Sequence, residues 1–219
     1  IPARFAQCLI AFEDRHFRSH IGIHVPSLVR AAQQNRKAGR VVSGGSTITM
    51  QLARMARGHQ PRTTINKLVE MLMALRLEIR YDKESILALY VANAPFGGNV
   101  VGLEAAAWRW FGHAPHQLGW AECATLAVLP NAPARIHLGR QRDALRHKRD
   151  RLLTHLRDSG VIDSLSCALA MSEPLPERPL LLPRSAPHLL TTLEQQGQRG
   201  QRIHSTIDVD LQRRVLAIA

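Results

Sequence analysis

The hydrophobic and polar positions of this chain recur at the spacing of α-helices. When every third or fourth residue is apolar, the apolar side chains share one face of a helix. The clearest example opens at Thr63 or Thr64. Its apolar positions are Ile65, Leu68, Leu72, Leu75 and Ile79. This pattern predicts a mainly α fold.

Glycine and proline divide the pattern into separate helices, because proline suits a first helical turn and glycine commonly follows a last one. We expect the first helix to run from Pro2 to a stop at Gly22, and Asp82 to cap a later helix. The other predicted helices, besides the one that opens at Thr63 or Thr64, cover residues 26–39, 46–58, 100–110, 119–129, 141–158 and 163–171.

The composition changes after residue 173. Prolines at 174, 176, 179, 183 and 187 predict an extended linker. Beyond it we expect one strand at 203–207 and one helix at 210–219, which are too little to bury a core of their own. We therefore assign residues 1–173 to one domain, and residues 174–219 to a proline-rich linker and the start of a second domain.

The composition as a whole is that of a globular protein. Of 219 residues, 45% are hydrophobic and 21% are charged, which argues against extensive disorder. The longest apolar runs are far shorter than the ~20 residues that span a bilayer, so we expect no transmembrane helix. Three widely spaced cysteines predict free thiols rather than zinc ligands. Because the chain begins with Ile1 and not with Met, we expect that a targeting segment has been lost.

Positive charge is concentrated near the start of the chain. The formal net charge is +12, and residues 1–60 contain nine Lys and Arg against two acids. Such a surface favours anionic partners, namely nucleic acid, anionic lipid headgroups or a phosphorylated substrate. The alternative is a generally basic, solvated surface. The two acids are adjacent, as Glu13 and Asp14, so one carboxylate pair lies in a basic field.

Three kinds of chemistry fit the segment that begins at Glu13. If the first helix continues to Gly22, then Glu13, His16, Phe17 and His20 share one helix face. Glu13 is then a candidate general base. His16 and His20 are alternatively a metal-binding pair, although the glutamate that would make such spacing diagnostic is absent. The third interpretation is a polar helix face with hydrogen-bonded histidines.

Two further segments offer groups for an anionic substrate. A Gly44-Gly45 turn precedes a helix N-terminus, and Thr47, Gln51 and Arg54 follow on one face of that helix. Simple helix capping is the alternative interpretation. On the next helix, Lys67 and Glu70 are either a surface ion pair, or a phosphate-binding lysine beside a second carboxylate that faces Glu13 across a cleft.

Together these segments resemble the glycosyltransferase (murein polymerase) domain of class A penicillin-binding proteins, most closely the 1C type, and of monofunctional peptidoglycan glycosyltransferases. Five motifs stand in the order of that family over residues 1–160. They are EDRHFRSHIGIH at 13–24, GGSTITMQLAR at 44–54, NKLVEMLMALRLE at 66–78, ILALYVANAPFGG at 86–98 and AAAWRWFG at 105–112.

The resemblance implies a lysozyme-like, two-lobed domain, mainly α, with a central cleft. It implies an enzyme that polymerises lipid II into β-1,4-linked glycan strands, with inversion at the donor sugar and release of undecaprenyl pyrophosphate. Glu13 matches the family's general base, and Glu70 matches a second catalytic carboxylate that supports the donor. The implied substrate-binding residues are Asp14, Phe17, His20, Thr47, Gln51, Arg54 and Lys67.

The chain departs from the family pattern at five positions. His24, Met50, Arg54, Met55 and Asn66 stand where the family usually has Asp, Gln, Lys, Asn and Arg. We expect these changes to affect turnover and donor affinity rather than the type of reaction. Two alternatives stay open: a lytic relative with the same architecture, and a wall-binding module that binds lipid II without turnover.

The resemblance also implies the surroundings of the enzyme. Its partners would be lipid II, the growing glycan strand, the membrane surface, reached through the substrate and a lost N-terminal anchor, and other cell-wall synthesis proteins. It would act at the outer, periplasmic face of the bacterial cytoplasmic membrane. The sequence requires no cofactor and shows no dedicated metal ligands, although a divalent cation at the pyrophosphate is compatible with it. No nucleic-acid partner is expected, because zinc-finger spacing and an aromatic RNA-binding motif are both absent.

Overall fold

The computed structural model describes residues 1–40, 43–58, 61, 63–97, 99–130, 141–182, 186–198, 203, 205–216 and 218. In this part of the chain there are eleven α-helices, one 3-10 turn at Pro115–Gln117 and no strand, apart from an isolated bridge between Pro95 and Val101. The predicted mainly α class is confirmed. The expected strand is wrong, because residues 203 and 205–207 have no strand conformation.

The helices follow one another in the order that the sequence pattern predicts. They are α1 (Ala3–Glu13), α2 (Val25–Ala38), α3 (Ile48–Ala56), α4 (Thr64–Arg80), α5 (Lys83–Asn93), α6 (Leu103–Phe111), α7 (Trp120–Val128), α8 (Arg142–Asp158), α9 (Ser164–Ser172), α10 (Pro187–Gln195) and α11 (Val209–Leu216). Helix α10 was not predicted, because its residues directly follow the proline-rich segment and carry only a short apolar pattern.

The first helix is shorter than predicted. It ends at Glu13, and the chain from Asp14 to Gly22 folds as turns instead of continuing to Gly22. The reason is tertiary: the Asp14 carboxylate accepts hydrogen bonds from the backbone N–H of Ile48 and from the ring of His20. Short polar side chains that bond elsewhere compete with helix propagation. Glu13, His16 and His20 therefore do not lie on one helix face.

Helix α7 forms the centre of the core. Seven of its residues are buried, among them three alanines whose small side chains allow α1 and α8 to pack closely on it. Helix α3 packs in the same way between α4 and α5. Buried residues of all these elements except α4 join one continuous cluster that includes Phe5, Phe17, Ile48 and Leu126. One group of helices is therefore α1, α7 and α8, and the other is α3, α4 and α5. Where the two groups meet, the end of α1 lies beside α3.

Helix α4 presents its polar face to the protein and its apolar face to solvent. Glu70 and Ala74 are buried, whereas Ile65 is 74% exposed and Ile79 is 88% exposed. Leu68 and Leu72 are exposed as well. This is the reverse of the usual orientation of a surface helix, whose apolar stripe packs on the core. None of the described helices is both long and apolar enough to cross a membrane.

The chain divides into two compact units, residues 1–180 and residues 181–219. Within the first unit, two arginines of α8 bind the backbone of residues 171–176. The Arg149 guanidinium donates to the carbonyls of Met171 and Glu173, and that of Arg142 donates to the carbonyls of Leu175 and Pro176. The first unit thus extends seven residues beyond the predicted boundary at 173. The assignment of a glycosyltransferase domain at 1–173, followed by a linker and a second domain, stays a prediction.

Candidate active site

The candidate site is built around the N-terminus of α3. Thr47 is its N-cap, and the Thr47 hydroxyl accepts from the Met50 N–H. The preceding Gly45 lies so close to α2 that a Cβ there would come within 2.8 Å of the Ser27 carbonyl oxygen. The predicted capping by Thr47 is therefore present. The predicted glycine turn is wrong, because residues 43–47 form no turn or bend, and Gly45 instead allows a close approach of two backbones.

Two hydrogen bonds pin the turn from Asp14 to Gly22 to this N-terminus, and two more lie within the turn. Asp14 Oδ2 lies 2.8 Å from His20 Nε2 and accepts from Ile48 N at 3.1 Å. Gly22 N donates to His20 Nδ1, while the Thr47 hydroxyl donates to the Gly22 carbonyl at 2.6 Å. Because Nδ1 accepts, the ring proton of His20 is on Nε2, from which it donates to Asp14.

These contacts bear on whether His20 is a metal ligand or a hydrogen-bonded histidine. Both of its ring nitrogens are used, so the structure does not support a metal-binding pair of His16 and His20. The His16 ring instead stacks on that of His24, with 4.1 Å between the ring centroids. Burial and the neighbouring histidines lower the pKa of His24.

A second set of contacts supports the turn from Asp14 to Gly22. Phe17 is fully buried, and Lys83 Nζ lies 4.7 Å from the centre of its ring. The same ammonium donates to the His20 carbonyl at 2.6 Å and to Glu78 Oε1 at 2.7 Å. The Thr49 hydroxyl also donates to Glu78. The first motif is thus held by α3, α4 and α5 together.

Glu13 is half-buried at the end of α1, where α3 reaches it through Gln51. Gln51 Nε2 donates to Glu13 Oε2 at 2.7 Å. Behind Gln51, the Tyr90 hydroxyl on α5 donates to Gln51 Oε1 at 3.2 Å. Lys148 on α8 adds a positive charge whose field reaches Glu13, although burial lowers the pKa of this lysine.

Glu70 and Arg54 form the second half of the site. Arg54 Nε and Nη2 donate to the two carboxylate oxygens of Glu70, both at 2.7 Å. The Arg54 side chain is 30% exposed and that of Glu70 is 7% exposed. The hydrogen bonds that Arg54 donates to Glu70, together with the charge of Glu70, raise the pKa of Arg54. This is the bidentate geometry in which guanidinium groups bind carboxylates most strongly.

Helix α3 therefore contacts both predicted catalytic carboxylates. Gln51 and Arg54 are one turn apart on it, so Glu13 and Glu70 bind to successive turns of one helix. Lys67 is half-buried one turn before Glu70 on α4. Asn66, where the family usually has Arg, accepts from the Arg57 guanidinium and donates to the Pro61 carbonyl.

The structure brings most of the predicted site residues together and gives several of them internal partners. Asp14, Phe17, His20 and Thr47 are buried and act on the geometry of the motif, so their direct contact with substrate stays a prediction. Sequence reasoning missed Tyr90 and Lys148 as neighbours of Glu13. In the sequence Tyr90 stands among the apolar residues of α5, and Lys148 is one of many basic residues on α8.

Comparisons with known proteins agree with this picture. Residues 1–157 match the model of the transglycosylase family. Penicillin-binding protein 1C of Escherichia coli (strain K12) is 37% identical over 219 residues, which is 100% of this chain and 28% of that protein. Penicillin-binding protein 1A of Aquifex aeolicus (strain VF5) is 33% identical over 222 residues, which is 97% of this chain and 31% of that protein.

A shorter relative matches part of the chain. A biosynthetic peptidoglycan transglycosylase of Janthinobacterium sp. (strain Marseille) is 39% identical over 132 residues, 60% of this chain and 57% of that protein. The chain belongs to the transglycosylase family, as its motifs predict. The predicted enzyme class, a peptidoglycan glycosyltransferase, is confirmed at the level of this family. The chain spans less than a third of the length of the two penicillin-binding proteins.

Proposed function

We propose that this chain extends glycan strands by polymerising lipid II, with Glu13 as the general base. Glu13 takes the proton of the acceptor 4-hydroxyl as this oxygen attacks the anomeric carbon of the donor sugar. The bond from that carbon to the pyrophosphate breaks, the configuration inverts, and undecaprenyl pyrophosphate leaves. The observation that supports this assignment best is the 2.7 Å hydrogen bond by which Gln51 on α3 holds the Glu13 carboxylate.

The two predicted catalytic carboxylates accept from different groups of α3. Glu70 is engaged in a bidentate ion pair with Arg54 and serves as the counter-ion of that guanidinium. Glu13 accepts a hydrogen bond from the Gln51 amide, which orients the carboxylate. The geometry therefore favours Glu13 as the base and Glu70 as the residue that holds Arg54 in place.

The pyrophosphate leaving group fits beside Arg54, one turn after Gln51 on α3. Arg54 uses only part of its N–H groups on Glu70, and its partly exposed side chain leaves others for a pyrophosphate oxygen. Lys67, on the same face of α4 as Glu70, adds a second cation. Fixed positive charge at a departing anion lowers the barrier for transfer, whereas hydrolysis of a glycan needs little of it.

The decisive experiment is polymerisation of labelled lipid II in detergent, comparing the wild type with Glu13→Gln. We expect long glycans from the wild type and none from the variant, because an amide cannot accept the proton. Glu104→Gln, an exposed glutamate on α6, is the matched control and should retain activity. Shorter products from preformed glycan would instead indicate a lytic enzyme, and binding of lipid II without extension by the wild type would indicate a wall-binding module.

We further propose that the protein works at the periplasmic face of the bacterial cytoplasmic membrane. Its substrate is lipid-linked, its net charge of +12 suits anionic headgroups, and α4 exposes an apolar face. The proposal includes other cell-wall synthesis proteins as partners and requires no cofactor. A divalent cation at the pyrophosphate is compatible with it.

A further inference from the structure

Tyr90 lies directly behind the group that holds the proposed base. A continuous hydrogen-bonded chain runs from the Tyr90 hydroxyl to Gln51 Oε1, at 3.2 Å, and from Gln51 Nε2 to Glu13 Oε2, at 2.7 Å. The chain crosses three helices, because Tyr90 is on α5, Gln51 on α3 and Glu13 on α1. Each of the three side chains therefore depends on its neighbours for its orientation.

The direction of these hydrogen bonds follows from their chemistry. An ionised carboxylate only accepts, so the amide nitrogen of Gln51 faces Glu13 and the amide oxygen faces Tyr90. That oxygen needs a donor, which the phenol supplies. A hydrogen bond to the amide oxygen also polarises the amide and strengthens the hydrogen bond that its N–H donates.

The phenol is suited to act only as a donor. Tyr90 is 1% exposed. Burial, and to a smaller extent the charge of Glu13, raise the pKa of Tyr90 well above its ordinary range. The hydroxyl therefore keeps its proton at neutral pH and can donate to Gln51. Its neighbours on α5 are core residues, among them Ile86, Leu87 and Val91, so the ring is fixed in position.

We propose that Tyr90 is a positioning residue for glycosyl transfer, which orients Gln51 so that this amide in turn aims the Glu13 carboxylate at the acceptor hydroxyl. The proposal rests on the proposed function, since it assumes that Glu13 is the base. Tyr90 itself touches neither substrate nor the reacting atoms. Its effect is on the alignment of the base and so on the chemical step.

The test is Tyr90→Phe, which keeps the ring and removes only the hydroxyl. We expect kcat for lipid II extension to fall about tenfold, which corresponds to about 1.4 kcal/mol in barrier height, while KM changes less than about twofold. The matched control is Tyr81→Phe, because Tyr81 is the other tyrosine of the chain and is 38% exposed. It should behave as the wild type. Wild-type turnover by Tyr90→Phe would overturn the proposal.

A double-mutant cycle separates positioning from a general loss of packing. If Tyr90 acts through Gln51, the effect of Tyr90→Phe should vanish in a Gln51→Ala background, measured in single-turnover reactions. An equal loss in both backgrounds would contradict the proposal.

The side-chain amide of Gln51 gives a second readout that needs no catalysis. Its two N–H signals in a ¹H–¹⁵N spectrum, assigned with Gln51→Glu, should shift towards free-amide positions in Tyr90→Phe while the backbone signals of α1 stay in place. Unchanged amide signals would also overturn the proposal. If the wild type fails to extend lipid II, the proposed function fails, and these signals still show whether Tyr90 orients Gln51.

Discussion

Among single residues, the two carboxylates of the candidate site differ in the kind of hydrogen-bond donor from which each accepts. Glu70 has a cation as its partner and Glu13 has a neutral amide. The same helix, α3, supplies both donors from successive turns. The sequence spacing of Gln51 and Arg54 therefore places a different donor at each carboxylate, as the proposed roles of Glu13 and Glu70 require.

Glu70→Gln should destabilise the protein, because an amide nitrogen replaces one carboxylate oxygen, so one of the two N–H groups of Arg54 faces a donor and loses its acceptor. For a pair that is partly exposed on the arginine side, we expect a loss of about 1–3 kcal/mol in the free energy of unfolding. Urea denaturation measures this loss, and polymerisation should fall with it. Glu84→Gln is the control, since the ion pair of Glu84 with Arg18 is solvent-exposed and should contribute little. Equal effects of the two substitutions would contradict the assigned role of Glu70.

Residue identities could be predicted here better than their partners. Glu13, Gln51, Arg54 and Glu70 were each found from the motifs, and the structure brings them onto one surface of α3. The contacts of Tyr90 could not be found in this way, because a tyrosine at an apolar helix position has the same pattern whether or not its hydroxyl is used. Only the packing of α5 on α3 shows which group it meets.

At the scale of elements, helix starts were the most predictable features. Thr47, Thr63 and Asp82 cap α3, α4 and α5, and each side chain accepts from an N–H in the first turn. Capping is a local interaction between neighbours in sequence, so a sequence pattern suffices to predict it. The end of α1 was not predictable, because the contacts that end it come from α3 and from the folded turn itself.

The Asp82 cap should make stability depend on pH. Hydrogen bonds from Ser85 lower the pKa of Asp82 below its ordinary value. A carboxyl with a lowered folded-state pKa stabilises the protein above its unfolded-state pKa, and this contribution disappears as the pH falls through the folded-state value. Asp82→Ala should therefore lower the thermal midpoint at pH 7 by about 2–4 °C.

The difference between wild type and Asp82→Ala should shrink as the pH falls from the unfolded-state pKa of Asp82 through its lower folded-state pKa. Asp82→Asn is the matched control, because an asparagine caps a helix without titrating. Calorimetry of the three proteins from pH 7 to pH 3 measures the effect. A difference between Asp82→Ala and wild type that is constant with pH would show that the charge of the cap does not contribute.

At the scale of the whole molecule, the orientation of α4 is the main unexpected feature. Its polar face is directed inward because Glu70 binds Arg54 and Glu78 binds Lys83 and Thr49. The polar face thus builds the site, and the apolar face is left on the surface. A large exposed apolar stripe on a basic protein is typical of a surface that binds membranes.

Replacing Leu68 and Leu72 by Ser should weaken binding to vesicles of anionic phospholipid. Both side chains are exposed, so the change should lower the partition coefficient by about tenfold or more and leave the fold intact. Leu165→Ser with Leu169→Ser on α9 removes two equally exposed leucines and serves as the control. Co-sedimentation with vesicles measures both, and equal losses from the two pairs would contradict a membrane role for α4.

The sequence by itself determined the helical class, most helix starts, the basic charge and the identities of the polar residues in the motifs. These properties depend on spacing and on neighbours along the chain, both of which the sequence contains. The tertiary structure decided where α1 ends, which face of α4 is buried, and that Glu13 receives an amide while Glu70 receives a guanidinium. Those outcomes depend on contacts between residues far apart in the chain, such as Asp14 with Ile48 and Gln51 with Tyr90, and only packing brings these together.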